Sequence, residues 1–389
     1  MGSRVMGVLA AIGVAAAVGF SVLLAVADRD FRTNTPAGVE KAAALLPLNT
    51  AYLSLRALQL EYDGGDSRAV LEKMVALDRY SSSAKIRLGL DAEVRGDWGG
   101  AEKWLLAAAE VDRQYEPRWT LANFYFRQGR TAEFWKWVRA ALEVSYGDRA
   151  PAFDLCWQVS GDAGEVWSRA IPDRRDVVSA YLWYVLGKRR LEAVGPAALK
   201  LAAGKGPEDT RVSDAMVLNS AMDALLEAGE AAKARQVWVA LGYAAPAGIV
   251  GTDFEAPRIG HGFDWRLLTV LGVTEVELDA PASLRIVMSG QEPETCELLR
   301  QFVIVKAGRK YVLRWEARTD GFPKATGLEW KLGAARGAVA ASAEWSAGEM
   351  RVAGAEGAVV SLGYQRPSGE VRVEGRVELR HVTLTETAE

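Results

Sequence analysis

The hydrophobic period of the chain changes twice, and each change marks an element boundary. Val5 to Ala27 carry no charge and, apart from one Ser, are Ala, Val, Leu, Ile, Gly, Met and Phe. As a helix this run is about 35 Å long, enough to cross a hydrocarbon layer of about 30 Å. From residue 39 to about 244 the apolar positions follow helical spacing. After a Tyr243–Gly251 stretch containing Ala-Ala-Pro-Ala-Gly, the pattern becomes alternating. Tyr311, Leu313 and Trp315 share one face against Arg314, Glu316 and Arg318, and Leu328, Trp330 and Leu332 oppose Glu329 and Lys331. That period predicts half-buried strands, with both tryptophans in the core. Turn residues such as Gly308-Arg309, Asp320-Gly321 and Pro367-Ser-Gly separate about eight of them. The reading is a multidomain α-then-β chain: anchor 1–27, linker 28–38, helical array 39–244 and antiparallel sandwich 252–385.

The helical part repeats. Leu88-Gly89, Gly96-Asp97-Trp98, Ala101 and Ala108 recur as Leu121-Ala122, Tyr125, Gly129-Arg130 and Ala141, with the two turn glycines 33 residues apart. This small-residue skeleton resembles the tetratricopeptide (TPR) repeat. It implies an α-solenoid whose helix pairs stack to bury what each alone cannot. Gly64-Gly65, Gly161, Gly187 and Gly229 are further candidate turns, giving five to six pairs, with Pro172 and Pro196 limiting two of the second helices. In TPR units the first helix of each pair lines a groove. Counting back from Gly129 places Trp119, Asn123, Phe126 and Arg127 there, and counting back from Gly187 places Tyr181 and Tyr184. Aromatic, Arg and Asn side chains are residue types that anchor a peptide, so a protein partner in the groove is expected.

The amino-terminal run has two readings. Ala25-Val26-Ala27 before Asp28 fits a signal-peptidase site, but the run exceeds the usual signal core, which favours an uncleaved transmembrane helix. Either sends the rest of the chain across a membrane. The expectation is a single-pass bacterial inner-membrane protein with periplasmic domains.

Asp253-Phe254-Glu255 followed by Gly262-Phe263-Asp264-Trp265-Arg266 resembles the approach to the first strands of jelly-roll domains related to carbohydrate-binding modules. The resemblance covers Thr252 to Thr385 and includes Gly308-Arg309-Lys310-Tyr311. It implies a sandwich that could hold glycan. Aromatics outside a clean apolar face are the expected stacking residues, namely Phe263, Phe322 and Trp345. Asp253 and Glu255 are calcium candidates by the same resemblance, although two carboxylates fall far short of a full oxygen shell.

Composition removes other classes. A net charge of −3 with no long run of either sign argues against nucleic acid. Cys156 and Cys296 fall in different domains, and no Cys/His spacing suits a metal. His261 lies near Asp264 without a nucleophile motif, so no catalytic residue and no cofactor are expected. The expected function is a non-enzymatic envelope adaptor that docks a protein in its groove and holds glycan on its sandwich. Resemblance to proteins found beside exopolysaccharide and O-antigen machinery implies polysaccharide assembly or export. A purely structural scaffold is the rival reading, and an enzyme the third.

Overall fold

The computed structural model describes residues 2–203, 212–254, 258–279, 282–355 and 357–387. Among them are fourteen helices followed by ten strands, and the chain divides into two compact units, Met1–Pro172 and Asp173–Glu389.

In the first unit, α1 (Gly2–Arg32) is followed by α2 (Pro36–Leu45) and then by antiparallel pairs. These are α3 (Thr50–Tyr62) with α4 (Arg68–Leu77), α5 (Ser82–Val94) with α6 (Trp98–Val111), α7 (Tyr115–Arg127) with α8 (Thr131–Val144), and α9 (Ala150–Val159) with α10 (Ala163–Ala170). Sequence dictates their ends. Gly96 has φ +79° and its amide closes on the Glu93 carbonyl, while the Asp97 amide reaches back to Ala92. The Asp97 side chain then caps α6 by accepting from the Gly100 amide. Gly129, at φ +66°, repeats the closure 33 residues later. Ala101, Leu105 and Ala108 are buried where α6 meets α5, and a Cβ on Gly89 would sit 2.7 Å from the Leu105 side chain.

A Cβ at Gly96 meets nothing within 4 Å, so only its backbone angle penalises substitution. We expect Gly96→Ala to cost about 1 kcal/mol, Gly96→Val more, and Ala101→Leu about 1–3 kcal/mol by overpacking. Urea unfolding of the four proteins checks this, and equal tolerance would contradict the register.

Residues 28–38, expected as a linker, are folded. Helix α1 continues to Arg32, Thr35 caps α2, and Pro36 occupies its first turn. Ala27 is completely buried in the first helical core, and Phe31 packs on Tyr52 at 4.6 Å. Cleavage after Ala27 would therefore remove a core residue.

The second unit holds α11 (Arg175–Gly187) with α12 (Leu191–Ala202), α13 (Val212–Glu227) with α14 (Ala231–Ala240), and the strands. Two sequence expectations are corrected here. Pro196 does not end α12, which runs on to Ala202. At the end of α11 the left-handed residue is Arg189, φ +55°, and not Gly187. Its amide bonds Leu186 and that of Arg190 bonds Val185, the same closure as at Gly96, displaced by two residues.

The strands are β1 (Arg266–Leu267), β2 (Val273–Asp279), β3 (Ala282–Ser289), β4 (Thr295–Phe302), β5 (Lys310–Asp320), β6 (Leu328–Leu332), β7 (Ala335–Ala338), β8 (Ser346–Ala353), β9 (Val359–Gln365) and β10 (Glu374–Glu386). They form two five-stranded antiparallel sheets, ordered 1-4-9-6-7 and 2-3-10-5-8. Without edge strands β1 and β2, the orders 4-9-6-7 and 3-10-5-8 are those of a jelly roll. The alternation seen in the sequence sets the phase: Tyr311, Leu313, Trp315, Leu328, Trp330 and Leu332 are all buried between the sheets.

Candidate functional site

Helix α7 carries the first candidate strip. Trp119 is half-buried and stacks on Tyr115 at 5.9 Å, and the Asn123 amide donates to the Trp119 carbonyl one turn back. Phe126 is half-buried and leans on Phe134 at 6.0 Å. Arg127 is exposed but gripped by both Glu93 carboxylate oxygens at 2.7 Å. Arg87 binds Glu61 in the same way one pair earlier. These ion pairs tie successive first helices together.

The turn residues supply a common frame. Two and six residues before Gly129 lie Arg127 and Asn123; before Gly96 lie Val94 and Leu90; before Gly64 lie Tyr62 and Leu58. Leu58, Tyr62, Leu90 and Val94 are 56%, 91%, 38% and 88% exposed, an apolar set open to solvent. Extending the repeat back to Gly64, 32 residues before Gly96, would have found them. A cavity of about 720 Å³ lies at the Leu58 end, lined by Asn34, Pro36, Leu55, Leu58, Gln59 and Tyr62.

The same frame moves the second strip. Counted from Arg189, the equivalent of Asn123 in α11 is Trp183, which is 43% exposed. Tyr181, expected to line a groove, is completely buried, and Tyr184 is half-buried against Tyr181 with the Lys188 ammonium 5.5 Å from its ring centre. The last equivalent, six residues before Gly229, is Asp223 in α13, and there the position is filled. Asp223 accepts from the Gly262 amide at 2.9 Å and from Arg266 at 2.6 Å, and its other oxygen meets His261 Nδ1 at 2.7 Å. Phe263, expected as a stacking residue, is completely buried edge-on against Trp238 of α14. Gly262, at φ +61°, would place a Cβ 2.9 Å from the Trp238 ring. The string read as the approach to the sandwich is thus a loop seated on the last helix pair. Burial lowers the Arg266 pKa, with Asp223 opposing that effect.

Within that loop, Asp264 accepts from the amides of Ile259, Gly260 and Trp265, and Trp265 joins the sandwich core beside Trp330. Asp253 accepts from the His381 amide at 3.1 Å and meets its ring Nδ1, while Thr252 donates to its other oxygen. These bonds pin the bulge in β10, where His381 has φ +51°. Glu255 lies outside the described residues. Among the described residues no three His, Cys, Asp or Glu side chains are grouped to hold a metal. Burial pushes the Cys156 thiol up to about 12, far from the reactive range.

On the sandwich, Phe322 is half-buried at the rim of the core. Trp345 is different. It precedes β8, is half-buried, and lies 4.1 Å from the Arg380 guanidinium and 5.0 Å from that of Arg318. Because Val377, Leu379 and Ala317 point inward, Glu378, Arg380, Glu316 and Arg318 occupy the outer face of this sheet. Glu378 binds Arg318 at 2.6 Å and Arg285 at 2.9 Å, and Arg380 binds Glu316 at 2.7 Å. One depression of about 280 Å³ is lined by Arg285, Arg318, Asp320, Arg376 and Glu378. Another of about 490 Å³ is lined by Arg314, Glu316, Glu349, His381 and Thr383. The face therefore offers an aromatic ring fixed by two cations amid many hydrogen-bonding groups.

Burial raises the Glu378 pKa, but the bonds from Arg318 and Arg285 outweigh it and leave the carboxyl below its usual range. A lowered folded pKa means stability present above the unfolded value of about 4.3 and lost as pH falls through the folded one. Glu378→Gln should therefore destabilise the protein near neutrality and flatten the acid limb of its stability curve. Denaturant titrations across the acid range test this. An unchanged acid limb would contradict it.

No protein-family model matches the sequence, and no curated relative does. Among solved structures, one described as "CBM4 structure and function" is 12% identical, covers 36% of this chain and 99% of its own, and has a TM-score of 0.27. The TPR domain of P58(IPK) is 13% identical, covers 57% of this chain and 82% of its own, and has a TM-score of 0.18.

Proposed function

We propose that this protein is a non-enzymatic, membrane-anchored adaptor of the bacterial envelope. Helix α1 spans the inner membrane once, with the folded units on the periplasmic side. The helix pairs receive a protein partner, and the sandwich holds a glycan in polysaccharide assembly or export. One observation carries the docking part. At the repeat position of Leu58, Leu90 and Asn123, the last pair already grips a polypeptide loop, through Asp223 on Gly262 and Arg266. The equivalent positions in the first unit are Leu58, Leu90 and Asn123, and with the nearby Tyr62, Val94, Trp119, Phe126 and Arg127 they offer a strip to another chain. The glycan part rests on the carbohydrate-binding-module resemblance and on the Trp345 face. The polysaccharide setting rests on resemblance in architecture.

The Asp223 joint also favours a second reading, in which the sandwich only caps the helical array and binds no sugar. Retention of the detergent-solubilised full-length protein on a polysaccharide array separates the two. Binding supports the glycan module, and no binding supports the scaffold. For the partner, a photo-crosslinking residue at Leu90 in living cells should trap protein while one at Lys103 on α6 should not. Equal trapping at both would remove the docking strip.

A further inference from the structure

The apolar helix α1 does not hand over to a flexible tether. Its stripe Leu23, Val26, Ala27, Asp30 and Phe31 is part-buried to buried, and α2 packs along it. The turn between them is tight. The Thr33 amide bonds Asp30, the Asn34 amide bonds Phe31, and Asn34 takes φ +53°. Gly38 in the first turn of α2 lies so close to α1 that a Cβ there would stand 2.5 Å from the Asp30 carbonyl. The chain thus reverses, and α2 runs back along α1. Ala42 and Ala43 then share one core cluster with Ala27, and Leu46 packs at its edge. Continuing the register at one residue per residue sets Leu46 beside Leu23.

That level lies inside the apolar run. Ala27 is its last residue, and Leu23 is four positions earlier, about 6 Å at the helical rise. The turn after α2 is therefore carried back past the end of the span. Its composition suits the place: no charged residue occurs between Lys41 and Arg56, and the turn itself reads Leu45-Leu46-Pro47-Leu48. Leu48 is 72% exposed and Leu45 36%. In the same stretch of α1, Val18, Val22 and Leu24 are also bare, at 58%, 58% and 40%. A covering that suits the exposed flank of α1 reaches the turn as well.

We propose that the α2–α3 turn, Leu45–Leu48, is a second membrane contact, seated at the headgroup–acyl boundary beside the transmembrane helix. This inference rests on α1 spanning a bilayer. It gives the turn a reason to be apolar. It also fixes the first helical layer against the lipid surface, because the turn and α1 belong to one packed core. Helix α3 leads away from the turn, so Tyr62 at its far end, 91% exposed, stands in water.

The test uses full-length protein with Cys156→Ser and Cys296→Ser, reconstituted in phosphatidylcholine–phosphatidylglycerol vesicles containing a lipid-borne quencher. An environment-sensitive fluorophore is placed in turn at Val14→Cys, Leu48→Cys and Tyr62→Cys. We expect the Leu48 label to lose about half or more of its emission, as a side chain in the interfacial layer should, the Val14 label to be quenched, and the Tyr62 label to be unaffected. Quenching at Val14 without quenching at Leu48 overturns the turn contact and leaves the anchor standing. No quenching at Val14 overturns the anchor, and the turn contact with it. Equal quenching at Leu48 and Tyr62 overturns the specific seating of this turn.

Discussion

Trp315→Ala should lower stability by about 3–5 kcal/mol, the largest single loss expected in the sandwich. Trp315 is 3% exposed and packs on Trp330 at 6.1 Å. The strands around it are cut to receive the ring. A Cβ on Gly348 would stand 2.4 Å from it, and one on Gly337 2.6 Å. Both positions are glycines, so neither strand supplies a side chain at these two points to fill the space left by alanine. Trp345→Ala, by contrast, loses a half-exposed ring and two cation–π contacts, for about 1–2 kcal/mol. Denaturant unfolding followed by tryptophan fluorescence compares the two. Equal losses would mean that Trp345 is core.

Asp223→Ala should cost about 3–5 kcal/mol, because it strands a buried cation. The Arg266 side chain is 8% exposed and its partner at 2.6 Å is Asp223. The Gly262 amide and His261 lose their acceptor at the same time. Gly262→Ala should damage the same joint by a different route, through a Cβ driven into Trp238 at positive φ. Limited proteolysis should then cut within residues 244–262 in both variants before the strands are attacked. Unchanged resistance would show that the loop is held elsewhere.

Much of the fold could be read from the sequence because its signals are local. Glycines at φ > 0 ended the helices at Gly96, Gly129 and Gly229, and period-two alternation placed Trp315 and Trp330 in the core. The errors arose where the signal was local and the cause was not. Taking Gly187 as the turn shifted α11 by two residues, about 200° around a helix, and turned Tyr181 outward when Trp183 is the exposed residue. Arg189 adopts a conformation glycine usually serves, which composition does not reveal. Phe263 reads as a turn aromatic because what buries it, Trp238, is 25 residues earlier in the chain. Asp223 is an ordinary acidic helix residue until Gly262 and Arg266 arrive from 39 and 43 positions away. The Trp345 face was half legible. The ring stood outside the alternating pattern, but the guanidinium groups beneath it belong to β5 and β10, brought together only by the sheet.

The most direct test of the proposed function is the retention of full-length protein on polysaccharide, measured beside Trp345→Ala. The account predicts that the wild-type protein is retained and that Trp345→Ala loses retention while still unfolding cooperatively near the wild-type midpoint. A stacking platform is exposed before binding, so its removal weakens the complex far more than the free fold. Retention that survives Trp345→Ala would remove the glycan from this face, and no retention by the wild-type protein would contradict the glycan module itself.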